Sequence, residues 1–409
     1  MHEMKTLVSR RLAALVALVG LTVSARSSEA IPAFARRYEM SCRTCHAYRF
    51  PLLSSFGKRF REDGYQLPEG AEDPVRARRN VEPGTVSDLT TLFREVPLSL
   101  RGQVFAVGRV ESKEGAPIYE NKIFSYLDGG GSVARDLSFF FSFTPFPATQ
   151  LHQARIGIHD LGESWLGAGT LNVRAGALML LDFQRPTHRQ ISPGGPKSAT
   201  GVAVGANTFT LDNTTLGLEL HGRPLGGPFL YELALVAGDP GATLTDRDDW
   251  KDGFARLSYT FFQNGPHELV LGAFGYLGRA DLVTEQTQFE LAQRDDFYIV
   301  GGDAELDVGP LNVFGTAYTS RHADARLDGE PVSFFGGRAE VVVGISDDLI
   351  ASLRYDGVTS SHDETLRRSG LAPHLTWLMV ANAALSIEWR QDLLDSKSSS
   401  GVALLDLAF

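Results

Sequence analysis

Leu385-Ser386-Ile387-Glu388-Trp389-Arg390, LSIEWR, puts Leu385, Ile387 and Trp389 on one side of an extended chain and Ser386, Glu388 and Arg390 on the other. Successive side chains of a strand point to opposite faces, so this hexapeptide separates an apolar face from a charged one with no residue out of place. The same separation sets Leu349, Ala351, Leu353 and Tyr355 against Ser352, Arg354 and Asp356. In a membrane barrel the apolar set meets lipid and the charged set lines the lumen, because an Arg or Lys at the bilayer midplane costs roughly 2–4 kcal/mol.

From Leu98 onward such segments recur without any sustained helical period. They fall near 98–109, 121–133, 137–145, 150–159, 169–180, 208–221, 228–237, 252–262, 267–278, 295–308, 310–320, 331–343, 347–357, 370–381, 383–391 and 401–409, about sixteen in all. Links alternate in length: Arg135-Asp136, Gly309-Pro310, Ser346-Asp347-Asp348 and Ala381-Asn382 are short, whereas VESKEGAPIYEN, GDPGATLTDRDD and SRHADARLDGE are long. An even strand count with short periplasmic turns and long outer loops is the pattern of bacterial outer-membrane barrels. A soluble all-β protein or two stacked sandwiches would leave sheet edges to protect, and closure removes them. The Leu405, Leu407, Phe409 pattern also resembles the terminal strand read by outer-membrane assembly machinery. The fold expected is therefore all-β, a barrel of about sixteen strands over residues 97–409.

Residues 1–30 have a basic start, an apolar run from Leu12 to Val23 and small residues before Ile31, the layout of a secretory signal that is too short to span a bilayer. The expected cut follows Ala30, and the mature chain leaves the cytoplasm. Formal charge is uneven. Residues 31–96 carry net +2 and residues 97–409 net −14, which argues against nucleic acid as a partner.

The two cysteines stand together in Ser41-Cys42-Arg43-Thr44-Cys45-His46. A zinc site needs about four ligands, and no second cysteine pair exists. A CxxC redox pair belongs to a βαβ context that IPAFARRYEM and AYRFPLLSSFGKRF do not supply. Covalent haem c uses all three residues, with thioethers from Cys42 and Cys45 and proximal ligation of the iron by His46. In the flank, Pro51 is expected to open a helix, Phe56 and Phe60 to share a face, and Gly64 to close it. Arg49, Lys58, Arg59 and Arg61 then form a solvated face or meet haem propionates or the acidic barrel. For the sixth iron position, Met40 would have to fold back over the ring. Met179 and Met379 alternate onto the apolar faces of their strands, and His374 alternates inward.

The block IPAFARRYEMSCRTCHAYRFPLLSSFGKRFREDGYQL, residues 31–67, resembles the N-terminal block of the fused monohaem cytochrome c–porin family, which includes outer-membrane iron oxidases of iron-oxidising bacteria. The shared features are Pro32, Phe34-Ala35-Arg36, the CxxCH, Pro51, Phe56-Gly57, Phe60 and Gly64-Tyr65. The resemblance implies a small N-terminal helical cytochrome c-like plug segment, residues 31–96, within or beneath the porin, passing electrons across the outer membrane. It covers about a tenth of the chain.

The function expected is an electron conduit from an extracellular donor, Fe(II) being the candidate, through one haem c to a periplasmic c-type cytochrome or other carrier. The alternatives are a diffusion or uptake porin with a haem-bearing structural plug, and the same conduit run outward as a reductase. Asp246, Asp248, Asp249 and Asp252 in TDRDDWKD read either as a solvated loop or as oxygen ligands that attract Fe(II).

Overall fold

The computed structural model describes residues 33–38, 40–46, 51–67, 98–110, 118–134, 136–181, 202–212, 214–238, 250–262, 267–282, 293–380 and 382–408. Among the described residues three short helices precede the strands, α1 Ala33–Tyr38, α2 Cys42–His46 and α3 Ser55–Glu62. The strands are β1 Leu98–Val110, β2 Ile118–Ala134, β3 Leu137–Phe146, β4 Gln150–Ile158, β5 Asn172–Met179, β6 Thr214–Gly222, β7 Phe229–Val236 and β8 Asp252–Phe261. They continue as β9 His267–Leu282, β10 Gln293–Val308, β11 Leu311–His322, β12 Val332–Gly344, β13 Leu349–Ser360, β14 Arg368–Val380, β15 Ala383–Asp392 and β16 Ser399–Ala408. A helical turn, α4 Glu163–Leu166, lies between β4 and β5. Each strand pairs antiparallel with its sequence neighbours, and β1 pairs with β16, so the sheet closes into a barrel.

Closure leaves no edge strand, and it sorts the alternating residues into two surfaces. Leu353, Tyr355, Leu375, Trp377, Ile387 and Trp389 are exposed on the outside. Ser352, Arg354, Asp356, His374, Ser386 and Glu388 are buried on the inside. There Arg354 reaches Asp356 at 3.3 Å and Glu388 at 3.5 Å, which pairs charges that would otherwise be stranded away from water.

The expected strand 208–221 is shorter than its alternation suggests, since β6 begins at Thr214. Residues 202–211 instead turn into the lumen as a hairpin, with Val204 and Asn207 bonded to each other through their backbones. Phe209 and Leu211 do alternate with polar neighbours. Their apolar side, however, packs with Val202 and Val204 against inward-facing Phe254, Phe274, Tyr276, Phe297 and Phe334 rather than against lipid. Asn207 Nδ2 donates to Asp295 at 2.8 Å, and Asp295 also holds His322 Nδ1 at 2.7 Å. The Ala206 amide donates to the Ala325 carbonyl at 2.7 Å. Ala325, expected in an outer loop, is therefore fully buried beneath this hairpin. The signal segment 1–30, residues 68–97, Phe409, Arg49 and Asp246, Asp248 and Asp249 lie outside the described residues.

Candidate functional site

The CxxCH forms α2, and two contacts tie it to the next helix. Ser54 caps α3 by accepting from the Gly57 amide at 3.2 Å, and the same hydroxyl donates to the Thr44 carbonyl at 3.0 Å. The Ser54 amide donates to the Cys45 carbonyl at 2.6 Å. These bonds satisfy carbonyls that the end of α2 leaves without helical partners. Gly57 permits the approach, because a Cβ there would lie 2.4 Å from the Cys45 oxygen.

His46 Nδ1 stands 3.0 Å from the Pro51 carbonyl and 3.2 Å from that of Leu52. Both partners only accept, so Nδ1 carries the proton and the basic lone pair belongs to Nε2. A backbone carbonyl fixing one ring nitrogen is how proteins commonly orient a histidine for metal at the other. The donor set, two thiols and an imidazole of defined tautomer on one short helix, fits haem c. Pro51 contributes through this carbonyl and not as the first residue of a helix. α3 starts four residues later, because Ser54 supplies the cap.

Aromatic packing holds α1 and the end of α3 together. Phe34 stacks on Tyr65 at 4.3 Å, Tyr38 meets Phe60 edge-on at 5.2 Å, and the Tyr38 hydroxyl donates to the Tyr65 carbonyl at 2.7 Å. Tyr65 in turn stacks on the lumen residue Phe140 at 5.3 Å. Gly64, at φ +69°, closes α3 as the sequence suggests, and a Cβ there would strike His159 and Ser138. Arg37 donates to Ser132 at 3.2 Å, and Leu52 packs on Val342 and Ile350.

The opposite face of α3 meets charge. Lys58 Nζ lies 2.9 Å from Glu305 and 3.5 Å from both Glu268 and Asp307, and Ser55 donates to Glu268. Burial alone would lower the Lys58 pKa, but the charges of Glu305, Asp307 and Glu268 outweigh it and hold the ammonium above its ordinary value. Glu62 forms a two-pronged pair with Arg223 at 2.6 and 3.0 Å. Burial pushes this carboxyl up, and Arg223, with Arg61 and Arg59, brings it below the usual range. Asp63 forms no ion pair of this kind among the described residues, and the charges of Arg223 and Arg59 lower it less than its surroundings raise it. Burial, then the negative charges of Glu62 and Asp160, push it up to about 7.

About 30 Å³ of space remains between this face and the wall residues Arg256, Ser258 and Glu268, enough for roughly two waters. Of the basic residues near the motif, Lys58 thus meets the acidic barrel and Arg43 forms an exposed pair with Asp347 at 3.0 Å. Pairs of that exposed kind contribute roughly 0–1 kcal/mol, so the buried contacts of α3 decide the seating. Arg223, Glu268, Glu305 and Asp307 sit where strands meet the short turns, and residues 33–67 accordingly occupy that end of the lumen.

The sixth-position candidates separate. Met40 packs into the aromatic cluster of Tyr38, Phe60 and Tyr65. Met179 is buried beside Gln153, whose Nε2 lies 2.9 Å from its sulfur, and not on the lipid face that alternation assigns. Met379 is half-buried at a bulge between Leu378 and Val380 that interrupts the alternation. His374 does point inward, with Nδ1 3.2 Å from Ser352 and Nε2 3.0 Å from Thr376. Asp252, expected in an iron-attracting loop, lies buried in β8, where it accepts from the Tyr276 hydroxyl and the Arg279 amide. Among the described residues no three His, Cys, Asp or Glu side chains gather to hold a metal ion. Sequence reasoning missed Glu268, Glu305, Asp307, Arg223 and Ser54. The inward stripe Asp303, Glu305, Asp307 was the available signal for a basic partner.

Solved porins share this architecture. An anion-selective porin from Comamonas acidovorans superposes with a TM-score of 0.52 and 13% identity over 76% of this chain and 99% of its own. OmpF of Salmonella typhi, solved with daunomycin, gives 0.52 and 10% over 76% of this chain and 97% of its own. The fold is that of a sixteen-strand porin barrel. No protein-family model and no curated protein matches the chain.

Proposed function

We propose that the chain is a bacterial outer-membrane barrel whose short-turn end is stopped by a haem-bearing plug, and that it passes electrons from an extracellular donor to a periplasmic carrier. Its apolar exterior, closed sheet and porin-like fold support the membrane placement. The observation that supports the electron reading is the His46 ring, held at Nδ1 by the Pro51 carbonyl so that Nε2 is the atom that would ligate iron, within the one CxxCH of the sequence. Cys42 and Cys45 would hold the porphyrin as thioethers and His46 would ligate the iron. When bound, haem c supplies one-electron exchange. The residues of the plug do the rest: Ser54 and Gly57 fix α2, Lys58 and Glu62 lock α3 to the wall, and the packed lumen keeps bulk solute from bypassing the site. Fe(II) is the candidate donor and a c-type cytochrome the candidate acceptor.

Export of a Cys42→Ser, Cys45→Ser variant with haem-maturation machinery tests the foundation, since its covalent haem band on a denaturing gel should vanish. His46→Ala should keep the thioethers but change the spectrum, and cells carrying it should show little haem reduction by Fe(II). Wild-type haem that stays oxidised with Fe(II) across pH removes iron as the donor. The likeness to porins favours a second reading, a diffusion or uptake porin with a structural plug. Porin-like solute flux through reconstituted protein, unaffected by haem state, would establish it.

A further inference from the structure

Buried charge is not spread evenly around the lumen. On the wall from β5 to β13 the inward ion pairs are sealed: the side chains of Arg174 and Glu219 are 5% and 3% exposed, those of Arg256 and Glu232 4% and 2%, and those of Arg354 and Asp356 1% each. The 202–211 hairpin adds an apolar filling that touches the inward faces of β7 to β13, including fully buried Val332 and nearly buried Val358. On β16, β1 and β2 the inward pairs stay wetter. Arg109 and Glu120 are 42% and 36% exposed, Lys122 is 45% exposed, and Arg101 and Asp406 are 20% and 13% exposed.

Register puts these wet residues in one strip. Arg101, Val107 and Arg109 share the inward face of β1. Val107 stands opposite Val402 on β16 and opposite Glu120 on β2. Val107 and Val402 are half-buried, although inward valines at the same end of the opposite wall are closed off. Exposure falls from Arg109 near the long-loop mouth through Val107 to Gln103 and Leu404, which are buried. The strip is therefore a funnel and not a bore.

We propose that the long-loop half of the lumen is divided lengthwise, with its β7–β13 side filled by the 202–211 hairpin and its β16–β1–β2 side forming a water-filled aisle that admits small hydrated ions from the long-loop end and stops near Gln103 and Leu404. Opposite signs along it, Arg109 and Lys122 beside Glu120, give weak charge selection. The aisle does not depend on whether the plug carries haem, and it gives an extracellular ion a route partway to the plug in either functional reading.

Val107→Cys, Val402→Cys, Val332→Cys and Val358→Cys make the same near-isosteric change at the long-loop half of the lumen, two on each side. Each full-length variant, assembled in outer membranes and checked for folding by its heat-modifiable gel mobility, is treated from outside with ethylammonium and ethylsulfonate methanethiosulfonates. The reaction of the parent chain is subtracted. Positions 107 and 402 should be modified at least about tenfold faster than 332 and 358 by both reagents. Equal rates, or faster reaction at 332 and 358, overturn the aisle; if either packed variant fails to fold, Ile299→Cys takes its place. Haem content of the same preparations is read separately. Asymmetric labelling without haem leaves the aisle and removes the conduit, and haem with symmetric labelling does the reverse.

Discussion

Replacing Lys58 by methionine keeps most of the side-chain volume and deletes the ammonium that Glu305, Glu268 and Asp307 surround at 2.9–3.5 Å. Side-chain exposure of 15% for the lysine and 8–10% for the carboxylates makes this a buried cluster. Removing one partner of such a cluster costs about 3–5 kcal/mol, because the remaining charge is left desolvated and unpaired. Proton uptake by a stranded carboxylate relieves part of that, so the lower end, about 3 kcal/mol, is the expected loss of plug seating. Each ~1.4 kcal/mol is tenfold, which predicts ~10²-fold more unseated plug. Trypsin cleavage after Arg61 reads this population, since Arg61 is 4% exposed when the plug is seated. The site survives the substitution at position 58. Glu305→Gln added to Lys58→Met should recover part of the protection, a coupling that only a direct interaction gives. A cleavage rate within about threefold of wild type, or no recovery in the double variant, refutes the charge-locked plug.

Gly57→Ala should push α3 off the Cys45 carbonyl and lower covalent haem yield, measured by haem stain against total protein, while the barrel still shows its folded gel mobility. Asp63 titrates near 7 when seated and near the ordinary carboxylate value when released, so its contribution to seating is full at acid pH and fades as pH rises toward and through 7. Asp63→Asn should abolish this fading, giving tryptic protection at pH 8 at least as high as that of wild type at pH 5; Glu62 loses its pairing only at the acid end. Asp328→Cys, exposed on the β11–β12 connection, should react with an impermeant reagent on intact cells, and Asp347→Cys should not. The reverse pattern inverts the barrel.

Alternation exposed the barrel because a strand with lipid on one side and charge on the other has no other way to arrange LSIEWR. Where that premise failed, boundaries slipped. Phe209 and Leu211 have strand-like spacing, but their burial partner is the aromatic lumen of β8 to β12, and a sequence does not reveal which of two apolar surfaces a residue meets. Cys42, Cys45 and His46 were legible as a local motif. The lock at Lys58 joins residues more than 200 positions apart and was legible only as two halves, a basic helix and an acidic strand face.

The closure of β1 on β16 also sets a timetable. Arg101 and Asp406, which pair across that seam, are 305 residues apart in sequence, so the loop that joins them is among the costliest in the chain to close. The plug's anchors, Arg223 in the β6–β7 turn and Glu268, Glu305 and Asp307 on β9 and β10, belong to short-range hairpins, which can form while the seam is still open. A segment dressed with a bulky group before assembly can thus be laid against a half-built wall and enclosed as the last strand docks. Nothing has to be forced through a finished ring.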